Sequence, residues 1–191
     1  MKQVIKIRGD TYELLLSKGA ILLAIKNIAS KIVRDYKGKD IPTLLVVMTG
    51  ANYFGIHLSE ALDKLGFRHY MAYIQVSRYT KDEKPRKKIK LVSKPDKGLI
   101  IGRDVIVIED ILDKGLTLEF INSYLIGKKV KSVNYCLLGV KRGHKKLDFK
   151  IRYAILRNLG KRWLVGFGMD SNGLYRGLFG VYIKIRKVLR R

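Results

Sequence analysis

Three acids crowd one short stretch of a strongly basic chain. In "VIVIEDILDKGLTL", residues 105–118, four aliphatic residues run into Glu109 and Asp110, Asp113 follows, and the chain turns through Gly115 to Thr117. The chain has 40 Lys and Arg against 16 Asp and Glu, so a cluster of its few acids calls for a chemical reason. Glu109 and Asp110 leave the strand where its backbone reaches solvent. Gly115 permits positive φ and close backbone approach, and Thr117 brings a hydroxyl beside a helix N-terminus. Amide hydrogens and the positive end of a helix dipole suit a phosphate. Together the acids and the turn suit a sugar phosphate with vicinal hydroxyls, and the acids also suit a hard cation such as magnesium. The bland alternative is that acids at a strand end only cap and solvate the helix that follows.

The elements that must hold this loop read as alternating strands and helices. Residues 11–36 repeat apolar positions at helical spacing and stop before Lys37-Gly38-Lys39, which predicts one long amphipathic helix. "IPTLLVVMTGANYFGIHLSEALDKLG" predicts a strand of about five residues, a turn at Thr49-Gly50-Ala51-Asn52 and a helix closing near Gly66. "HYMAYIQVSRYT" is a strand candidate. The basic run after it, residues 81–98, is a flexible loop or a short hairpin, since "KIKLV" alternates. "DVIVIED" is the third strand, with a helix from near Thr117, and "SVNYCLLGVKR", "YAILRNL" and "RWLVGFGMD" are further strands. This alternation predicts an α/β fold with a mainly parallel sheet, whose ligands bind beyond the carboxyl ends of the strands. The junctions to inspect are Thr49-Gly50, Ser77-Arg78-Tyr79, residues 109–117 and Lys141-Arg142.

Length and composition bound the answer. At 191 residues, 47% of them hydrophobic and only three proline, the chain is long enough to bury the core of one domain. Its net charge of +24 implies attraction to polyanions, whether nucleic acid, a membrane surface or a phosphorylated small molecule; a genomic bias toward Lys and Ile is the alternative. A lone Cys136 in an apolar run reads as a buried strand thiol and supports neither disulfides nor a zinc site. His57, His69 and His144 stand apart, away from any metal spacing, and read as packing or surface histidines. Lys18 and Lys26 interrupt the apolar N-terminal run, so no signal peptide or membrane span is expected, and the cytoplasm is the default.

With these residues in view, "VIVIEDILDKGLTL" closely resembles the phosphoribosyl-pyrophosphate (PRPP) loop of the type I phosphoribosyltransferases, and residues 44–181 are similar, segment by segment, to the hypoxanthine-guanine branch of that family. "LLVVMTGANYFGIHL" resembles the family's first pyrophosphate loop, "VSRYT" its flexible-loop entry at Ser77, Arg78 and Tyr79, "CLLGVKR" the strand with the base-recognising lysine, and "RWLVGFGMDSNGLYRGL" the purine-stacking segment.

The resemblance implies a single domain over residues 1–191: a type I phosphoribosyltransferase-like parallel sheet flanked by helices, with a flexible loop and a small hood from the N-terminal region and roughly residues 150–191. It implies magnesium-dependent transfer of phosphoribosyl to N9 of hypoxanthine or guanine. Glu109 and Asp110 would hold ribose hydroxyls and magnesium. Ile111, Leu112, Asp113, Lys114, Gly115, Leu116 and Thr117 would wrap the 5′-phosphate, with Asp113 the acid or base at purine N7. Thr49, Gly50 and Arg176 would bind pyrophosphate, and Lys141, Arg162, Trp163, Leu164 and Asp170 the purine, with Asp170 also on a second magnesium. A homodimer or homotetramer is implied as well.

Three departures stand out: Met48-Thr49-Gly50-Ala51 where the family has a lysine-containing run, Lys114 in place of a threonine, and Arg78 in place of a serine. A regulator of the same fold that binds nucleic acid, and an enzyme preferring xanthine, are the alternatives. Asp113 with Lys141, Trp163 and Asp170 favours catalysis, because binding alone needs no carboxylate at N7.

Overall fold

The computed structural model describes residues 3–79 and 85–185, with side chains left out at 78–79 and 85–88. Strands β1 (Val4–Ile7) and β2 (Asp10–Leu16) form an antiparallel hairpin, and helix α1 (Lys18–Asp35) follows. The single helix expected over residues 11–36 is therefore corrected: its first third is a strand. Two partners override the helical spacing there, since β2 lies between β1 and the C-terminal strand β10. The break falls at Ser17, whose extended backbone and side-chain oxygen, accepting from Ala20 N at 3.3 Å, cap the helix. From there Ile21, Ile25, Ile28, Ala29 and Ile32 recur at helical spacing and are buried.

Next come β3 (Thr43–Met48), α2 (Asn52–Asp63), β4 (Tyr70–Tyr79), β5 (Pro85–Ser93), β6 (Asp104–Leu112), α3 (Leu116–Ile126), β7 (Ser132–Lys141), β8 (Tyr153–Leu159), β9 (Leu164–Val165) and β10 (Val181–Lys184). Six of the strands make one sheet in the order β5-β4-β3-β6-β7-β8; every pairing is parallel except β4 with β5. Of the two readings of residues 81–98, the hairpin is the one seen, with 80–84 outside the described residues.

The central strands are apolar at successive positions because both faces are covered. Leu44, Val46, Ile106, Ile108 and Cys136 pack under α1 and α2, while Leu45, Val47, Val105, Val107 and Leu137 pack under α3. Each such buried aliphatic contributes about 1.5–3 kcal/mol, and the summed effect holds the strand ends rigid where the loops depart. Burial also pushes the Cys136 thiol up, so it is inert packing.

A second, antiparallel sheet, β1-β2-β10-β9, joins both ends of the described chain over a small cluster of Ile7, Tyr12, Val165 and Tyr182. The histidines do structural work. His57 stacks on Phe167, side-chain-buried His69 bonds Ser59 and the Phe67 carbonyl, and exposed His144 donates to the Lys145 carbonyl.

Candidate active site

The end of β6 is where the strand stops being covered. Ile108 and Glu109 are buried, Asp110 and Ile111 half-buried, and Lys114 exposed. Glu109 and Asp110 turn their carboxylates onto the backbone they leave: Asp110 N donates to Glu109 Oε1 at 3.1 Å and Ile111 N to Asp110 Oδ1 at 2.6 Å. Those bonds fix both side chains before any ligand arrives. Gly115, at φ +91°, then reverses the chain into α3, whose first amides have no side-chain cap and face the loop.

Two other segments close over this turn. Gly50 sits so tightly on Asp110 that a Cβ there would collide with the carboxylate, and a Cβ at Gly168 would collide with the Gly50 carbonyl. The Met48–Thr49 peptide between them and β3 is cis. Arg176 locks the third layer, donating to Gly168 O at 2.7 Å and pairing with Asp170 Oδ1 at 2.9 Å. Asp170 Oδ2 in turn accepts from Gly173 N at 2.6 Å.

These layers leave two adjoining concavities. One, of about 250 Å³, is lined by Thr49, Gly50, Ser77, the run 109–115, Thr117, Asp170 and Arg176. The other, of about 200 Å³, is lined by Asp110, Ile111, Asp113, Lys141, Trp163, Leu164, Met169 and Asp170. Asp110, Ile111, Asp113 and Asp170 belong to both, so a ligand spanning the pair must pass them. The first concavity joins an anion-binding turn to acids. In the second, buried Lys141 holds its Nζ 3.7 Å from Asp113 Oδ1, and Trp163 is 51% exposed, its ring held flat to the opening by a bond from Nε1 to Asp170 O at 3.0 Å. An open indole beside a lone buried ammonium suits a flat, hydrogen-bonding heterocycle.

Most residues singled out from the sequence thus meet at one place. Leu116 and Arg162 do not line either concavity; both are exposed, Leu116 on the first turn of α3 and Arg162 beside Trp163. The Arg78 and Tyr79 side chains lie outside the described residues, as does most of the basic loop. Sequence reading missed Met169 and Gly168. The "GFG" of residues 166–168 was the available signal, since Gly166 and Gly168 both have positive φ and press against backbone carbonyls.

The sequence profile of the phosphoribosyl transferase domain matches residues 11–172. The chain belongs to that family. Among its phosphoribosyltransferase relatives, the hypoxanthine-guanine phosphoribosyltransferase of Aquifex aeolicus is 33% identical, over 93% of this chain and 97% of that protein. The enzyme of the same name from Streptococcus thermophilus is 30% identical over 90% and 92%. A solved hypoxanthine phosphoribosyltransferase of Staphylococcus aureus superposes with a TM-score of 0.78 at 26% identity, over 94% of each chain. That of Trypanosoma cruzi gives 0.78 at 25%, over 89% of this chain and 94% of that one. The α/β fold and the phosphoribosyltransferase resemblance therefore hold.

Members of the family work with magnesium, and the donors here fit it on one condition. Glu109, Asp110 and Asp170 offer only oxygen to one cleft, as a hard cation requires. Among the described residues no three His, Cys, Asp or Glu side chains group closely enough to hold a metal by themselves. Such a phosphoribosyltransferase site suits an ion that arrives with phosphate oxygens and water completing its shell.

Proposed function

We propose that this phosphoribosyltransferase uses magnesium and PRPP to place a phosphoribosyl group on N9 of hypoxanthine or guanine, releasing pyrophosphate and giving IMP or GMP for purine salvage. The observation that carries the reading is the pair of concavities meeting at Asp110, Ile111, Asp113 and Asp170. A ribose bridging phosphate and base needs that shared wall.

In this reading the amides of residues 111–117, including Leu116, hold the 5′-phosphate, with Lys114 and the Thr117 hydroxyl beside it. Glu109 and Asp110 accept from the ribose hydroxyls. Thr49, Gly50 and Arg176 receive the pyrophosphate, Arg176 through guanidinium hydrogens its present partners leave over. Magnesium, held by Glu109, Asp110 and Asp170, supplies charge neutralisation on the leaving group. Trp163 stacks on the purine, the Leu164 backbone meets its edge, and Arg162 guards the rim. Lys141 donates to the 6-oxo group, while Asp113 holds the proton at N7 as N9 attacks. Ser77, Arg78 and Tyr79 lead into the loop that closes and excludes water.

The small sheet serves as the hood of a single domain over residues 1–191. Exposed Leu23 on α1 with Ile56 and Leu65 near α2 supports a homodimer or homotetramer. No helix among the described residues is long and apolar enough to cross a membrane, and we place the enzyme in the cytoplasm. The test is a nucleobase panel with PRPP and magnesium, read by pyrophosphate release. Hypoxanthine and guanine are expected to turn over and adenine not to. Turnover of xanthine alone would reassign the base, and none with any base would overturn the enzyme reading.

A further inference from the structure

The pole of the sheet opposite the active site carries a concentration of positive charge that phosphoribosyl transfer does not use. β3, β4, β6 and β7 are parallel neighbours, so the connections entering them, residues 36–41, 64–69, 94–103 and 127–131, all emerge at one end. Those four connections hold ten Lys and Arg against two acids, Asp40 and Asp96. Both acids are engaged: Asp40 Oδ2 accepts from Lys131 at 2.6 Å, and Asp96 Oδ1 from Gly98 N at 2.6 Å. The excess of positive charge is therefore uncompensated within the surface.

The connections are also fastened together. Lys131 N donates to Arg103 O, Gly102 N to Lys129 O, Arg103 Nε to Gly98 O, Tyr70 N to Pro42 O and Thr43 Oγ1 to Leu99 O. Rigid positive charge costs little further ordering when a partner docks. Between the connections lies a concavity of about 570 Å³ lined by Lys39, Arg68, Tyr70, Ile101 and Arg103. Tyr70 is 36% exposed, with the Arg103 guanidinium 4.3 Å from its ring centre, and Ile101 is 48% exposed.

We infer that this pole binds single-stranded RNA. Cations along a groove neutralise a phosphate backbone, and an aromatic face backed by a guanidinium stacks an unpaired base whatever its identity. A headgroup plane fits less well, because the tyrosine is recessed among cations in a concavity rather than raised above them. β3 spans six residues, roughly 20 Å at strand rise, so RNA held here leaves the catalytic cleft at the far end of the sheet open.

The test titrates a fluorescent uridine 15-mer RNA with the full chain at several salt concentrations, using anisotropy. The triple variant Lys39→Gln/Arg68→Gln/Lys97→Gln should weaken binding at least about tenfold and reduce the slope of log affinity against log salt by about 3, one for each lost phosphate contact. Its pyrophosphate release should match the parent. Tyr70→Leu should weaken single-strand binding several-fold without changing that slope. A control removing the same charge from α1 and the 148–152 segment, Lys26→Gln/Lys31→Gln/Lys150→Gln, should leave affinity within about twofold. Equal loss in the control would overturn the surface in favour of diffuse charge. Tighter binding of a duplex of the same length, or binding of phosphatidylserine vesicles without RNA binding, would overturn the partner.

Discussion

Asp113 and Lys141 form an unequal pair: the lysine is buried at the end of β7, the aspartate almost half exposed in the loop after β6, and 3.7 Å separates their charged atoms. An ammonium held between a carboxylate and a base site can donate in only one useful direction, and a carboxylate in reach of solvent can exchange its proton between turnovers. Asp113→Asn keeps the shape and loses the basic site, so kcat should fall by on the order of 10²-fold or more while the KM for PRPP changes little. Steady-state kinetics separates the two, and an unchanged kcat would remove Asp113 from the proton transfer. Lys141→Gln removes one charge-assisted hydrogen bond worth about 1.5–3 kcal/mol. The preference for 6-oxo over 6-amino purines should then shrink by roughly 10- to 100-fold, as measured by kcat/KM on paired bases. Lys114, exposed at the rim of the phosphate turn, is the residue by which this chain departs from its relatives' loop. Lys114→Thr should raise the PRPP KM several-fold at low salt and leave kcat alone, since a surface cation acts mainly on capture.

At the scale of elements, the site depends on three loops stacked without side chains between them. Gly168 holds φ +96° with its α-carbon against the Gly50 carbonyl, and Gly50 rests on Asp110. Gly168→Ala must strain the backbone or push the first loop off Asp110, at about 1–3 kcal/mol, or roughly 2–10 °C in the unfolding midpoint. Scanning calorimetry would read this, and the PRPP KM should rise with it. Much of this layering was legible beforehand. The strand ends at Thr49, Glu109 and Lys141 could be found because strands covered on both faces are continuously apolar and stop abruptly at the first polar residues. The stacking order was not legible, because a glycine's close contact with a distant carbonyl leaves no periodic trace. The same reason hid the second sheet. β1, β9 and β10 have four, two and four residues, too short to show alternation, and "TYELLL" reads as helix until β1 and β10 flank it.

The whole molecule is closed by contacts between its two ends. Asp35, last residue of α1, accepts from Arg152 Nε at 3.0 Å and from Tyr153 Oη at 2.9 Å, with Arg152 Nη2 also at 3.0 Å. This ties the N-terminal helix to the edge strand β8 across more than a hundred residues of sequence, and no local pattern announces it. Burial by itself would raise the Asp35 pKa, but the hydrogen bonds from Arg152 and Tyr153 outweigh it and hold the carboxyl below its ordinary value. A carboxyl depressed in the folded state stabilises the fold above its unfolded pKa, and that stability disappears as pH falls through the folded value. The window is therefore the acid side, below about pH 4. Asp35→Asn should cost about 1 kcal/mol at pH 7, a figure kept small because the pair is partly exposed to solvent. It should cost progressively less toward pH 2, where the native carboxyl is itself protonated. Urea unfolding of both proteins at pH 7 and across the acid range measures the difference directly. A deficit that stayed constant with pH would assign the loss to packing around the substituted amide rather than to the charge that joins the two ends.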